Sequence, residues 1–176
     1  MKKQDTSENQ VNYTYLAIGS NLGKKIFNLV NAKYKLSKNG LQIIKSSSFY
    51  VTRSWPNPNF PNYINAVLFA KTNLSLPKLF RKIKLIEKSL GRINAPKNYP
   101  RKCDIDIIDF NGLIKTKSIN LPHPRSHRRN FVLYPIKEID PNWVHPILKK
   151  NVDFLINELT QTARIEITRL NKRVII

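Results

Sequence analysis

Acidic residues are scarce in this chain. Eleven Asp and Glu stand against 31 Lys and Arg, a formal charge of +20, and none occurs from Asn9 to Ile86. Such a field favours anionic partners: nucleic acid, nucleotides, phosphates or acidic lipid. Cysteine is nearly absent as well. The single Cys103 excludes an internal disulfide and fits a reducing, cytoplasmic setting. No run approaches the roughly 18 apolar residues that a membrane span needs. The polar N-terminus, MKKQDTSENQ, has no apolar stretch behind it to act as a secretory signal, and residues 1–11 read as a disordered leader. Only five glycines are present, with neither G-x-x-x-x-G-K-[ST] nor G-x-G-x-x-G among them. His123, His127 and His145 do not present zinc spacing with the lone cysteine. No Ser-His-Asp or Cys-His arrangement can be argued.

What remains is organised as one domain over 12–176, long enough to bury a core. YTYLAIG (13–19) reads as a strand ending in the turn GSNLG, followed by a helix with Ile26, Leu29, Val30 and Leu36 near helical spacing and Asn39-Gly40 as its stop. Residues 41–52 read as a second strand, RSWPNPNFPN as a loop, and YINAVLFAKT as a third strand pairing antiparallel with the second. SLPKLFRKIKLIEKSLG is the clearest helix, with Ser75 as cap, Pro77 in its first turn and Gly91 as stop. A basic loop (91–102) leads into the strand CDIDIIDF. The order is βαββαβ, an α+β, ferredoxin-like plan: an antiparallel sheet with helices packed on it and additional C-terminal elements. The remainder reads as a second basic loop (115–130), a helix near 151–160 and an extension over 163–176 that could add a strand. No element is assigned between 131 and 150.

Against the acid-poor background, Asp104, Asp106 and Asp109 fall within six positions. Strand side chains alternate faces, which puts Asp104 and Asp106 together and Asp109 with Ile105 and Ile107 on the other side. Two carboxylates about 6–7 Å apart repel by roughly 2–3 kcal/mol at an effective dielectric near 20, so removing one should hold or slightly raise stability. Something positive must offset the pair. Salt bridges to Lys97, Arg101 or Lys102 could do so, and so could Mg²⁺, which takes carboxylates, water and substrate phosphates. A metal pair beside a cationic loop fits phosphoryl or nucleotidyl transfer.

The motifs AIGSNLG, SSFYVTRSW, PNYINAV, the GR after the second helix, PRKCDIDII and LPHPRSHRRNFVLYP occur in this order between about Tyr13 and Pro146. In that order they resemble the 6-hydroxymethyl-7,8-dihydropterin pyrophosphokinase family of folate biosynthesis. The resemblance implies Mg-dependent transfer of pyrophosphate from ATP to the pterin hydroxymethyl group, with AMP released. It implies small-molecule partners only, ATP and the pterin, for a monomer needing neither nucleic acid nor membrane. Asp104 and Asp106 would hold two Mg²⁺ ions, and Asp106 would also orient the hydroxyl. Arg92 and Arg101 would be catalytic at the triphosphate, where Lys97, His123 and Arg129 also bind ATP. Thr52, Tyr63 and Asn65 would form the pterin wall and Phe131 would stack on the ring, while Glu87 suits a structural salt bridge. The chain departs from the pattern at Asn98 and Tyr99, where the family often has a Trp and then a small residue, and at Ile93 and Asn94, where a second arginine is missing. A second stacking face is therefore expected from Trp55, ahead of Tyr99. The alternative is a basic RNA-binding module on the same βαββαβ plan, but the aromatic stacking motif of that module is missing from CDIDIIDF.

Overall fold

The structure, a computed structural model, describes residues 10–92 and 98–171. Six strands form one antiparallel sheet. They are β1 (Asn12–Ser20), β2 (Leu41–Ser46), β3 (Tyr50–Thr52), β4 (Tyr63–Thr72), β5 (Asp104–Phe110) and β6 (Ile167–Arg169). The order across the sheet is β5-β1-β4-β3-β6, with β2 also paired to β4. Helices cover both faces. On one side lie α1 (Lys25–Lys38) and α2 (Leu76–Ser89), on the other α3 (Asn130–Ile139) and α4 (Val152–Asn157), and the short α5 (Gln161–Ile165) leads into β6.

Each helix forms where an apolar stripe recurs at helical spacing. α1 buries Leu29, Ala32 and Leu36, and α2 buries Leu76, Leu79, Ile83 and Ile86. Both stripes pack on Leu16, Ile18, Leu68 and Ile105 of the sheet. Gly91 ends the α2 segment at φ +87°, a conformation only glycine adopts freely. Ser75 occupies the N-cap position, but its side chain makes no capping bond. α3 lies where no element was assigned. Val132, Leu133, Ile136 and Ile139 give it a buried stripe despite Pro135 inside it, and with α4 and Trp143 they pack on Ala17, Val67 and Ile108. Among the described residues no helix is long and apolar enough to cross a membrane.

Two expectations are corrected. The single strand over 41–52 is two strands, β2 and β3. Ser47 N donates to Val67 O at 3.0 Å, while Val67 N donates to Ser47 Oγ, also at 3.0 Å. A side-chain hydroxyl thus replaces the ladder carbonyl and the strand breaks there. The second correction concerns Asp109. The β1–β5 register jumps from Tyr15↔Asp109 to Leu16↔Ile107, a bulge that skips Ile108. Asp109 is thereby turned to the same side as Asp106, where Trp143 Nε1 donates to its Oδ2 at 3.1 Å and Gly112 N to its Oδ1 at 2.8 Å. It is buried away from the other two carboxylates and serves as an anchor for Trp143, and burial raises its pKa.

Candidate active site

The register gathers one set of polar residues at one end of the sheet. Gly19 at the end of β1 faces Asp104 on β5 and Asn65 on β4, and Ala17 faces Asp106. Across β4, Asn65 faces Tyr50 and Tyr63 faces Thr52. Partners in an antiparallel ladder share a face, so Asp104, Asp106, Asn65, Tyr63 and Thr52 all lie on the side covered farther along by α3.

Every carboxylate here is held by cations. Arg92 Nη1 donates to Asp104 Oδ1 at 2.9 Å and Arg101 Nη1 to Oδ2 at 3.1 Å. Burial alone would raise the pKa of Asp104, but Arg101, Arg92 and Lys84 outweigh it and the pKa is lowered. Asp104 in turn raises the pKa of Arg101 against the effect of burial. Arg129 Nη1 donates to Asp106 Oδ2 at 3.1 Å. His123 lies beside it, with Nε2 3.7 Å from the same oxygen. The backbone N–H of Arg125 donates to His123 Nδ1 at 3.1 Å, and Arg129 Nη1 lies 3.3 Å from Nε2. Burial lowers the pKa of His123 against the pull of Asp106, with Arg129 and Arg125 adding to the effect of burial. Glu87, fully buried on α2, accepts from Ile105 N at 2.9 Å, from Lys84 Nζ at 2.8 Å and from Arg92. Burial raises its pKa, and its bonds join α2 to β5 and to Arg92, the structural role expected of it.

The opposite wall is uncharged. Asn65 Nδ2 donates to Thr52 Oγ1 at 3.0 Å. Its Oδ1 would lie 2.9 Å from a Cβ placed on Gly19, and the Tyr63 ring 3.6 Å. Only a glycine lets β1 pass this close to the amide and the ring. Burial raises the pKa of the Tyr63 hydroxyl, and Arg101 opposes the shift. Phe131, in the first turn of α3, lies under the Arg129 guanidinium with 5.3 Å between Cζ and the ring centre.

Two cavities open beside the carboxylates. One of about 510 Å³ is lined by Lys84, Glu87, Lys88 and Arg92. The other, about 200 Å³, is lined by Phe80, Lys84, Asp106, Ile107, Ile119 and His123 among others. Hard carboxylate oxygens on one strand face, ringed by cations and at Asp106 open to a cavity, suit a divalent metal that shares its shell with phosphate. Among the described residues, no cluster of three His, Cys, Asp or Glu offers a closed all-protein site.

Of the residues the sequence pointed to, Asp104 with Arg92 and Arg101, and Asp106 with His123 and Arg129, form two neighbouring ion-pair groups on β5, with Thr52, Tyr63 and Asn65 on the same sheet face. Phe131 adjoins Arg129. Trp55 projects from its loop 71% exposed, and Tyr99 packs on Phe60 with ring centres 5.6 Å apart. Lys97 lies outside the described residues. Asn21 and Ser54 carried no expectation, yet they tie the loops around the site. Asn21 N donates to Arg101 O at 3.1 Å, and Arg101 N returns a bond to Asn21 Oδ1 at 2.8 Å. Asn21 Nδ2 reaches Ser54 Oγ at 3.2 Å, and Ser54 Oγ donates to Pro61 O at 2.7 Å. The Asn within GSNLG was the available signal, since a turn of small residues needs no amide unless the amide holds something. Lys84 carried no expectation either, although it lines both cavities.

A family model for 7,8-dihydro-6-hydroxymethylpterin-pyrophosphokinase (HPPK) matches residues 15–141. A 2-amino-4-hydroxy-6-hydroxymethyldihydropteridine pyrophosphokinase of Aquifex aeolicus is 42% identical over 137 residues, 77% of this chain and 85% of that protein. One of the same description from Synechocystis is 34% identical over 150 residues, 84% of this chain and 76% of that protein. Among solved structures, wild-type Plasmodium falciparum HPPK-DHPS with pterin and p-hydroxybenzoate is similar in fold. Its TM-score is 0.67 at 16% identity, over 86% of this chain and 42% of that one. This chain therefore spans less than half the length of that two-part protein.

Proposed function

The chain belongs to the 7,8-dihydro-6-hydroxymethylpterin-pyrophosphokinase family, and from that premise we propose that it transfers pyrophosphate from ATP to the hydroxymethyl group of 6-hydroxymethyl-7,8-dihydropterin with the residues assembled above. The observation that carries the assignment is the juxtaposition on one sheet face of two cation-held carboxylates with an uncharged wall of Asn65, Tyr63 and Thr52. The charged half suits a nucleotide triphosphate and the uncharged half a flat, amide-bearing ring.

Asp104 and Asp106 would hold two Mg²⁺ ions, which when bound supply charge neutralisation at the phosphates. Arg92 and Arg101 bind the triphosphate from the α2 side, and His123 and Arg129 bind it from the α3 side. The smaller cavity, apolar at Phe80, Ile107 and Ile119, receives the nucleoside. Asn65 offers Oδ1 and its second amide hydrogen to the donor-acceptor edge of the pterin. Phe131 stacks on one face of the ring. Tyr63 stands on the sheet beside Asn65 and takes the other face, whereas Trp55 and Tyr99 sit out on loops. Asp106 orients the attacking hydroxyl. The hydroxymethyl oxygen bonds to the β-phosphorus, its proton passing to solvent, as the bond from that phosphorus to the α,β-bridging oxygen breaks in line. AMP leaves, and the pterin keeps two phosphates.

The RNA-recognition alternative has no support, because helices cover both faces of this sheet and leave no open platform for stacking bases. The direct test is to incubate the protein with MgATP and 6-hydroxymethyl-7,8-dihydropterin. Stoichiometric AMP and pterin diphosphate are expected. ATP left intact, or ADP as the product, would refute the assignment.

A further inference from the structure

The last strand takes no part in this chemistry, yet it borders the pterin wall. β6 pairs with β3 through Tyr50↔Arg169, Val51↔Thr168 and Thr52↔Ile167, and Leu170 N donates to Phe49 O at 2.7 Å. Since ladder partners share a face, Ile167 flanks Thr52 and Arg169 flanks Tyr50 on the side that carries Asn65 and Tyr63. Arg169 then reaches across to α3. Its Nη2 donates to Glu138 Oε1 at 2.8 Å and its Nε to Ser48 Oγ at 3.0 Å.

Glu138 is the joint of this region. Besides Arg169 it accepts from Ser48 N at 3.0 Å, Ser48 Oγ at 2.8 Å and the Tyr50 hydroxyl at 2.9 Å. One carboxylate thus fixes α3 to β3 and β6. α3 is a rigid rod with Phe131 in its first turn, about 10 Å along the axis from Glu138. β3 carries Thr52 two residues beyond Tyr50. The elements proposed to bear the two walls of the pterin pocket are therefore braced at this joint, and Arg169 is the cation that balances the charge there. The cations that hold Asp104 belong to α2 and to the segments flanking β5, and they have no contact with this joint.

We propose that Arg169 is a positioning residue for the pterin pocket: through Glu138 it sets the spacing between Phe131 on α3 and the Thr52–Asn65 wall. The proposal rests on the function assigned above, and it gives the C-terminal strand a role in substrate selectivity. Loss of Arg169 should weaken pterin binding and leave the nucleotide side intact.

Steady-state kinetics on Arg169→Met and Arg169→Lys test this, with each KM measured separately. Arg169→Met is expected to raise the KM for pterin about tenfold while the KM for ATP stays within about twofold. Arg169→Lys should recover part of the loss, since an ammonium keeps one charge-assisted bond to Glu138 but not the fork. General loosening of the fold would raise both constants together, so a parallel rise overturns the proposal, as does an unchanged pterin KM. If wild type forms no AMP, the functional assignment fails instead, and fluorescence titration of the same proteins with pterin still decides whether Arg169 matters for that site. Should Arg169→Met not fold, Tyr50→Phe removes one bond to Glu138 with the packing kept. It should raise the pterin KM about threefold, and no change would overturn the proposal.

Discussion

Replacing Asp104 by Asn removes one charge and keeps the shape. If Asp104 merely repelled Asp106, stability would hold or rise. The structure reverses that expectation, because Asp104 receives both Arg92 and Arg101 while Asp106 is matched separately by Arg129. An amide accepts at one oxygen only, so one guanidinium loses its bond and both lose the attraction of a full charge. Charge-assisted bonds contribute about 1.5–3 kcal/mol each when buried. Asp104 is 28% exposed and its partners are 21–36% exposed, and solvent screening reduces the loss to about 1–2 kcal/mol. For a domain of this size that lowers Tm by about 3–6 °C at pH 7. The sign with pH follows from the lowered pKa. The stabilisation is present above the ordinary carboxylate range and disappears as pH falls through the folded-state pKa, so wild type and variant melts should converge in strong acid. Turnover should fall on the order of 10²–10³-fold, as when one preorganised group is removed from a charged transition state. Thermal melts and AMP formation across a Mg²⁺ titration read the two effects independently. A variant as stable as wild type at pH 7 would refute the arginine-capped arrangement, and one with wild-type turnover would refute the metal assignment.

Gly19→Ala places a methyl 2.9 Å from Asn65 Oδ1 and should raise the pterin KM severalfold with little effect on that for ATP; equal KM values to wild type would mean that Asn65 does not read the ring. Tyr63→Leu should lower pterin affinity about fivefold in the presence of a MgATP analogue, the loss of one stacking face, and a larger effect from Trp55→Leu or Tyr99→Leu would move the second wall to the loops. His145 is buried with its pKa pushed down to about 4, so between pH 6.5 and about 4 the unfolded chain takes up a proton that the folded one refuses. Stability should therefore decline over that window by about 2–3 kcal/mol. Urea unfolding at pH 7 and pH 4.5 measures the decline, and His145→Asn, whose Oδ1 can accept from Ile147 N and Leu148 N in place of Nδ1, should flatten it.

β5 and its two outward carboxylates are legible because acid is rare elsewhere and alternation is a strand property. The facing of Asp109 was legible too, in the doublet Ile107-Ile108. Skipping one isoleucine restores strict alternation through Phe110, which is what the bulge does. The break at Ser47 was announced by three consecutive serines, but hydroxyls compete with the ladder only when a backbone partner is at hand, and that partner, Val67, is twenty residues away. α3 was obscured by Pro135, although Val132, Leu133, Ile136 and Ile139 keep helical spacing around it. Charged members of the site follow from motif identity. The contacts of Asn21, Ser54 and Glu138 do not, since each joins segments far apart in the chain and depends on the completed sheet.

The arginine caps on Asp104 and Asp106 have a thermodynamic consequence. A bare divalent ion must compete with guanidinium groups for the same oxygens and leave them unmatched, so its free-standing affinity should be weak. A nucleotide arriving with its ion offers those guanidiniums phosphate oxygens in exchange for the carboxylates they release. Ion and nucleotide are then linked ligands, each tightening the other by the same factor, and calorimetric titration should show Mg²⁺ affinity rising steeply once ATP is present. On the proposed function the resting protein would in this sense be self-inhibited toward metal, with the inhibitor built from the groups that would later hold the substrate.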